Sequence, residues 1–139
     1  MTDVVFTGGG TGGHLYPGLA IARALVRARP DVRPFFVGAQ RGIERDILPT
    51  TEFPHLLLDL HPLYRPKVWQ NWRTLRGAMS GWGELDRLMR ERHPRLVVGT
   101  EGYAAGLTSF WGWACGVRVV MREMQRILPG WFSRPRVQV

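Results

Sequence analysis

The sequence predicts an α/β fold: a Rossmann-like, three-layer domain built on a parallel sheet. Three observations lead there. Short β-rich runs alternate with helical segments along the whole chain, which is the arrangement of a parallel sheet covered by crossover helices. The first β-rich run opens into a glycine cluster, Gly8–Gly13, placed where a β-α-β unit meets its ligand. The chain has 139 residues, 45% apolar and 22% charged, a size and balance that suit one globular domain over residues 1–139.

Taken in order, Asp3–Thr7 is the first strand and Gly8–Gly13 the loop after it. Leu19, Ala22, Leu25 and Val26 then recur at helical spacing as far as Pro30. Arg33–Val37 reads as the second strand, ended by Gly38, and Ile43–Leu48 as a short helix stopped by Pro49. His55–Leu60 is the third strand. Two prolines and a tyrosine between His61 and Lys67 mark a loop. A long helix is expected from about Val68 to Arg92, with Gly77, Gly81 and Gly83 weakening its middle. Leu96–Val98 is the fourth strand, Tyr103–Cys115 a helix and Val117–Met121 the fifth strand. No internal repeat, linker or low-complexity tract interrupts the series.

No stretch approaches the roughly 18–20 apolar residues that span a bilayer. Met1-Thr2-Asp3 leads straight into a strand with no basic, cleavable leader, and Cys115 is the lone cysteine. Both agree with a cytoplasmic chain. The formal charge of +8 is carried almost wholly by arginine, Lys67 being the only lysine. Such a charge attracts an anion: nucleic acid, a lipid headgroup or a pyrophosphate. No recognisable nucleic-acid module accompanies it, so no nucleic-acid partner is expected. Nor is a metal or a cofactor.

The glycine loop, Thr7-Gly8-Gly9-Gly10-Thr11-Gly12-Gly13-His14, is the most informative stretch. Backbone without Cβ atoms lets a ligand approach closely, and the amides of the following helix present donors to an anion. A diphosphate is the favoured guest. Gly8, Gly10 and Gly13 also fit G-x-G-x-x-G, the dinucleotide fingerprint, which wants an acid after the second strand to hold a ribose. That place holds Val37-Gly38-Ala39-Gln40-Arg41, with no acid, although Arg41 would suit the 2′-phosphate of NADP. An NADP-binding domain therefore stays open as an alternative. A lone histidine is most often a packing or capping residue. His14, set beside backbone donors at an anion site, is also suited to general-base work near neutral pH.

Leu63–Arg76 mixes aromatic and aliphatic side chains with the cations Arg65, Lys67, Arg73 and Arg76. Trp69 and Trp72, three apart, share one face of a helix, and Trp111 and Trp113 add tryptophan on another element. The plain reading is core, since tryptophan is usually well buried. The functional reading is a patch at an anionic membrane surface, with rings at headgroup depth and cations on lipid phosphates.

Gly9-Gly10-Thr11-Gly12-Gly13-His14-Leu15-Tyr16-Pro17, followed by Ala20, resembles the opening motif of the MurG family (glycosyltransferase family 28). Gly42-Ile43-Glu44-Arg45-Asp46-Ile47-Leu48-Pro49 is similar to that family's G-x-E-x-x-L-x-P element. Val97-Val98-Gly99-Thr100-Glu101-Gly102-Tyr103-Ala104-Ala105-Gly106 is similar to its second glycine motif, and Arg122-Glu123-Met124-Gln125 with Pro129-Gly130 to its His-Glu-Gln-Asn…Pro-Gly segment. The four stand in the family's order and cover nearly the whole chain. The chain departs from the pattern where Glu101 replaces a glycine, where Gln125, a longer amide, stands for the family's Asn, and where Pro129-Gly130 lies one residue further from Glu123.

The resemblance implies one half of a GT-B glycosyltransferase, in which two Rossmann-like domains face a cleft. The N-terminal domain holds a lipid-linked acceptor and the C-terminal domain, absent from this sequence, most of a UDP-sugar. The implied reaction moves N-acetylglucosamine from UDP-N-acetylglucosamine to a muramyl-pentapeptide on undecaprenyl pyrophosphate, in peptidoglycan synthesis, on the inner face of the cell membrane. Carried over, His14 is the implied base or diphosphate ligand and Glu123 a catalytic polar group at the cleft. Thr11, Gly12, Gly13, Gly102, Tyr103 and Gln125 are implied to bind substrate, and Arg65, Lys67, Trp69, Trp72, Arg73 and Arg76 to face the membrane. Without a second domain or a separate donor-domain chain, the protein is expected to be inactive. A non-catalytic partner subunit, or a relic that binds lipid pyrophosphate, is the alternative.

Overall fold

The structure is a computed structural model that describes residues 1–8, 12–59, 71–100 and 103–121. Its elements in chain order are β1 (Thr2–Thr7), α1 (Gly12–Ala28), β2 (Val32–Ala39), α2 (Glu44–Ile47) with a 3-10 turn over Leu48–Thr50, β3 (His55–Leu58), α3 (Asn71–Arg92), β4 (Leu96–Gly99), α4 (Tyr103–Ala114) and β5 (Arg118–Met121). The five strands form one sheet in the order β3-β2-β1-β4-β5, every neighbouring pair parallel. From β1 the chain winds outward through β2 to β3, then crosses back over β1 to β4 and on to β5. The winding reverses at the gap between β1 and β4, and ligands of open parallel sheets sit outside the carboxyl ends of the strands at such a point.

Alternation within the strands builds the three layers. On one face Val5, Phe35, Val37, Leu58, Val97 and Val119 pack with Leu85 and Met89 of α3 and with Ala104 and Trp111 of α4. On the other Val4, Phe6, Val32 and Phe36 pack with Leu15, Leu19 and Ala22 of α1, Leu48 and Phe53. Both faces are covered, so the central strand reads Val4-Val5-Phe6 with no polar alternation. The Phe6 and Phe36 rings stack with centroids 5.3 Å apart, and Phe53 continues the row 5.4 Å beyond Phe36.

β2 departs from the sequence expectation in an instructive way. It runs through Gly38 to Ala39 instead of stopping at that glycine. Gly38 is a close approach: a Cβ there would lie 2.9 and 3.0 Å from Cβ and Cγ of Glu44. Pro34 is tolerated inside β2 because it has the parity of Phe36, whose N–H points to Pro54 O on the β3 side. β3 pairs only from His55 onward, opposite Phe36, so the missing N–H of Pro34 costs no ladder bond. The short helix spans Glu44–Ile47, one residue shorter at each end than expected, and Pro49 lies near the start of the 3-10 turn that follows, where an N–H has no partner to lose. β3 ends at Leu58, two residues earlier than expected, and α4 ends at Ala114, one earlier.

Candidate functional site

β1 ends at Thr7 and β4 at Gly99, side by side in the sheet, and their outgoing chains are tied together at once. The Thr7 carbonyl accepts from the Thr100 amide at 2.8 Å and from Thr100 Oγ1 at 3.3 Å. Thr7 Oγ1 donates to Thr108 Oγ1 of α4 at 3.3 Å. All three threonines are buried. A hollow opens at this junction, lined by Thr7, Gly8 and Thr100 and by the apolar groups Phe6, Leu15, Phe36 and Val98, with Gly18 of α1 at its wall. The polar lining belongs to the two loop roots, and the apolar lining comes from the face of the sheet under α1 and from Leu15 of α1 itself.

Helix α1 begins at Gly12, so Gly12, Gly13 and His14 form its first turn, on the carboxyl side of β1. That turn carries no acidic residue, and neither does the first turn of α4. No carboxylate within that turn therefore offsets the amides and positive dipole end of α1. Tyr103 opens α4 on the carboxyl side of β4, so the two helix starts lie at the same edge of the sheet. The side chains of His14 and Tyr103, and all of Thr11, Gly102, Glu123 and Gln125, lie outside the described residues. Among the described residues no three His, Cys, Asp or Glu side chains come together as metal ligands.

The second motif has a packing role. Glu44 is fully buried beside the carboxyl end of β2, its stem against Gly38 and its carboxyl group against Gly42, where a Cβ would overlap Glu44 Oε2. Leu48 is buried under the sheet. Arg41, the residue that left the NADP reading open, forms an exposed ion pair with Asp59 at 3.4 Å, across the carboxyl ends of β2 and β3.

Of the basic and aromatic segment, Arg65, Lys67 and Trp69 lie outside the described residues, as do the side chains of Trp72 and Arg73. Arg76 is exposed on α3. The tryptophans of α4 divide. Trp111 belongs to the core, its indole N–H donating to Asp86 Oδ1 at 2.8 Å, while Arg90 Nε meets Asp86 Oδ2 at 2.8 Å. The Trp111 hydrogen bond first, and Arg90 second, hold the Asp86 carboxyl below its ordinary range. Trp113 is 38% exposed and Phe110 52% exposed, and they extend a row of rings from Trp82 of α3 with centroids 5.7 and 5.8 Å apart. On α3, one helical turn before Trp82, Met79 is 68% exposed. The sequence reading did not single out Met79, Trp82 or Phe110. The cue available was spacing: Trp72, Met79 and Trp82 fall on one helical face. No helix among the described residues is long and apolar enough to cross a membrane.

Comparison with known proteins agrees with this layout. Residues 4–135 match the N-terminal domain of glycosyltransferase family 28. A UDP-N-acetylglucosamine–N-acetylmuramyl-(pentapeptide) pyrophosphoryl-undecaprenol N-acetylglucosamine transferase of Moorella thermoacetica is 40% identical over 131 residues, covering 94% of this chain and 35% of that protein. The protein of the same name from Desulforudis audaxviator is 38% identical over the same coverage. Among solved structures, Acinetobacter baumannii MurG superposes with a TM-score of 0.71 at 21% identity, over 87% of this chain and 34% of that one. The chain thus spans about a third of the length of the relatives it matches. With nearly its whole length matched, it belongs to glycosyltransferase family 28, whose N-terminal domain it carries.

Proposed function

We propose that this chain is the acceptor-side half of an N-acetylglucosaminyltransferase that acts on a lipid-linked muramyl-pentapeptide, with UDP-N-acetylglucosamine as donor. The observation that carries the reading is the pairing of two loop roots, Thr7 and Thr100, at the switch point of the sheet, beside helix starts without acidic residues. A pyrophosphate-bearing acceptor is the kind of guest those amides suit. In this reading an acceptor hydroxyl attacks the anomeric carbon of the donor sugar, and His14 takes its proton. Thr11, Gly12, Gly13, Gly102, Tyr103 and Gln125 hold substrate, with Glu123 at the cleft. The UDP leaving group is held mainly by a second Rossmann-like domain, corresponding to the part of the relatives' length that this sequence does not span, or by a separate chain.

The exposed side chains of Met79, Phe110 and Trp113, beside the partly buried Trp82, support a peripheral seat on the inner face of the membrane, where the acceptor's lipid is anchored. Aromatic rings with one apolar face and a nearby cation such as Arg76 are the groups that settle at headgroup depth.

The test is reconstitution. The 139-residue chain is mixed with, or fused to, the C-terminal portion of the Moorella relative, and sugar transfer to the lipid-linked acceptor is measured. Transfer is expected only when both halves are present, and His14→Ala should lower kcat by about 10²–10⁴-fold. Turnover by this chain alone would overturn the half-enzyme reading, and silence of the complete pair would overturn the acceptor role.

A further inference from the structure

We infer that Thr108 is a positioning residue for the glycine loop, acting through Thr7; the inference rests on reading that loop as an anion site. A loop with five glycines in the six positions Gly8–Gly13 has almost no side chains with which to fix its own course. The elements that flank it are β1, which ends at Thr7, and α1, which starts at Gly12. Thr7 is held on both of its polar groups. Its carbonyl takes the amide and hydroxyl of Thr100, and its hydroxyl reaches Thr108.

Thr108 is fully buried on the face of α4 that carries Ala104 and Trp111 into the core. Valine would fill the same volume there. The hydroxyl is therefore surplus to packing, and the partner it meets is Thr7, separated from it by 101 residues. The 3.3 Å contact is long, but both threonines are buried, so removing one hydroxyl takes this partner from the other inside the fold. Supporting groups of this kind hold a binding loop within the fraction of an ångström that binding needs.

The experiment compares the wild-type chain with Thr108→Val, Thr108→Ser and, as a control, Val32→Ala at the amino end of β2, far from the loops. The readouts are the dissociation constant for inorganic pyrophosphate, by calorimetry, and exchange of the Thr100 amide with solvent, by NMR. Thr108→Val should weaken pyrophosphate binding and speed Thr100 exchange, each by about 3–10-fold, the size of one lost buried hydrogen bond. Thr108→Ser keeps the hydroxyl and should stay within about 2-fold of wild type. Val32→Ala should lower thermal stability without moving the pyrophosphate constant. If Thr108→Val fails to fold, Thr7→Val breaks the same contact from the donor side and is read identically. Wild-type behaviour of Thr108→Val, or equal defects in the serine and valine variants, would overturn the assignment. If the wild-type chain does not bind pyrophosphate, the anion reading of the loop falls separately. Thr100 exchange then decides alone, and no change in Thr108→Val sinks the pin.

Discussion

Replacing Gly42 with alanine tests whether the glycine and glutamate of the Gly42–Pro49 element form one packing unit. The new methyl would overlap Glu44 Oε2 and stand 2.9 Å from Cδ. The carboxyl group cannot retreat toward the strand, because its stem already lies on Gly38, where a Cβ would find Glu44 Cβ at 2.9 Å and Cγ at 3.0 Å. The fully buried side chain must therefore leave its place or push β2 aside. Displacing a buried polar group from its contacts costs about 1–3 kcal/mol, and the accompanying strain places Gly42→Ala near 2–3 kcal/mol. In a Glu44→Ala background the obstacle is gone. There the same substitution should be neutral, or stabilise by about 0.4–1 kcal/mol through the less flexible unfolded chain. The pair should thus couple by about 2–3 kcal/mol in a double-mutant cycle. Urea denaturation of the four proteins measures it, with Gly42→Ala lowering the midpoint by about 1 M for a typical slope. Additive effects would refute the packing account and leave Glu44 with some other reason for its burial.

Acid stability carries two further expectations. Asp86 is held below its ordinary value of 3.8 by Trp111 first and Arg90 second, so its contribution is present above that pH and lost as pH falls through the lowered value. Trp111→Phe should lower Tm at neutral pH, and the gap from wild type should narrow below pH 3.8; a constant gap would assign the loss to packing alone. Glu52, bonded to Arg23, sits at about 2 instead of 4.5, so Glu52→Gln should flatten the fall of Tm between those values, slightly because the pair is exposed. At the membrane, Phe110→Ser with Trp113→Ser should weaken binding to anionic vesicles at every salt concentration. Arg76→Gln should weaken it only at low ionic strength, since the Debye length shrinks to about 10 Å at 0.1 M salt. Co-sedimentation reads both, and equal salt dependence of the two variants would remove the apolar contribution.

The alternation of strands and helices was legible because the strands hold short apolar runs and the helices are periodic, two patterns that local sequence carries. Gly38 was misread as a stop since only the fold shows Glu44 lying on it. α4 is apolar around most of its circumference, so periodicity could not tell Trp111, which faces the sheet, from Trp113, which does not. The aromatic row escaped for a different reason: Trp82 and Phe110 are adjacent only because α3 and α4 pack together. Composition alone singles out the glycine loop as the candidate anion site. Composition does not single out Thr108, because a threonine in an apolar helix looks ordinary until Thr7 is found opposite it.

The central place of β1 shapes how the chain folds as it is made. Val5 leaves the ribosome among the first residues, yet its partner on one side is Val97. At about 5–20 residues per second, that edge of β1 waits on the order of 5–18 s for β4. Meanwhile β1, β2 and β3 can pair, and Val4-Val5-Phe6 presents an open apolar border to any passing strand. Closure by β4 is a long-range step and hence a slow one. Thr7 meets Thr100 and Thr108 only once β4 and α4 have been made, so this edge of the sheet is completed late, and a nascent chain interrupted before β4 has neither contact at Thr7.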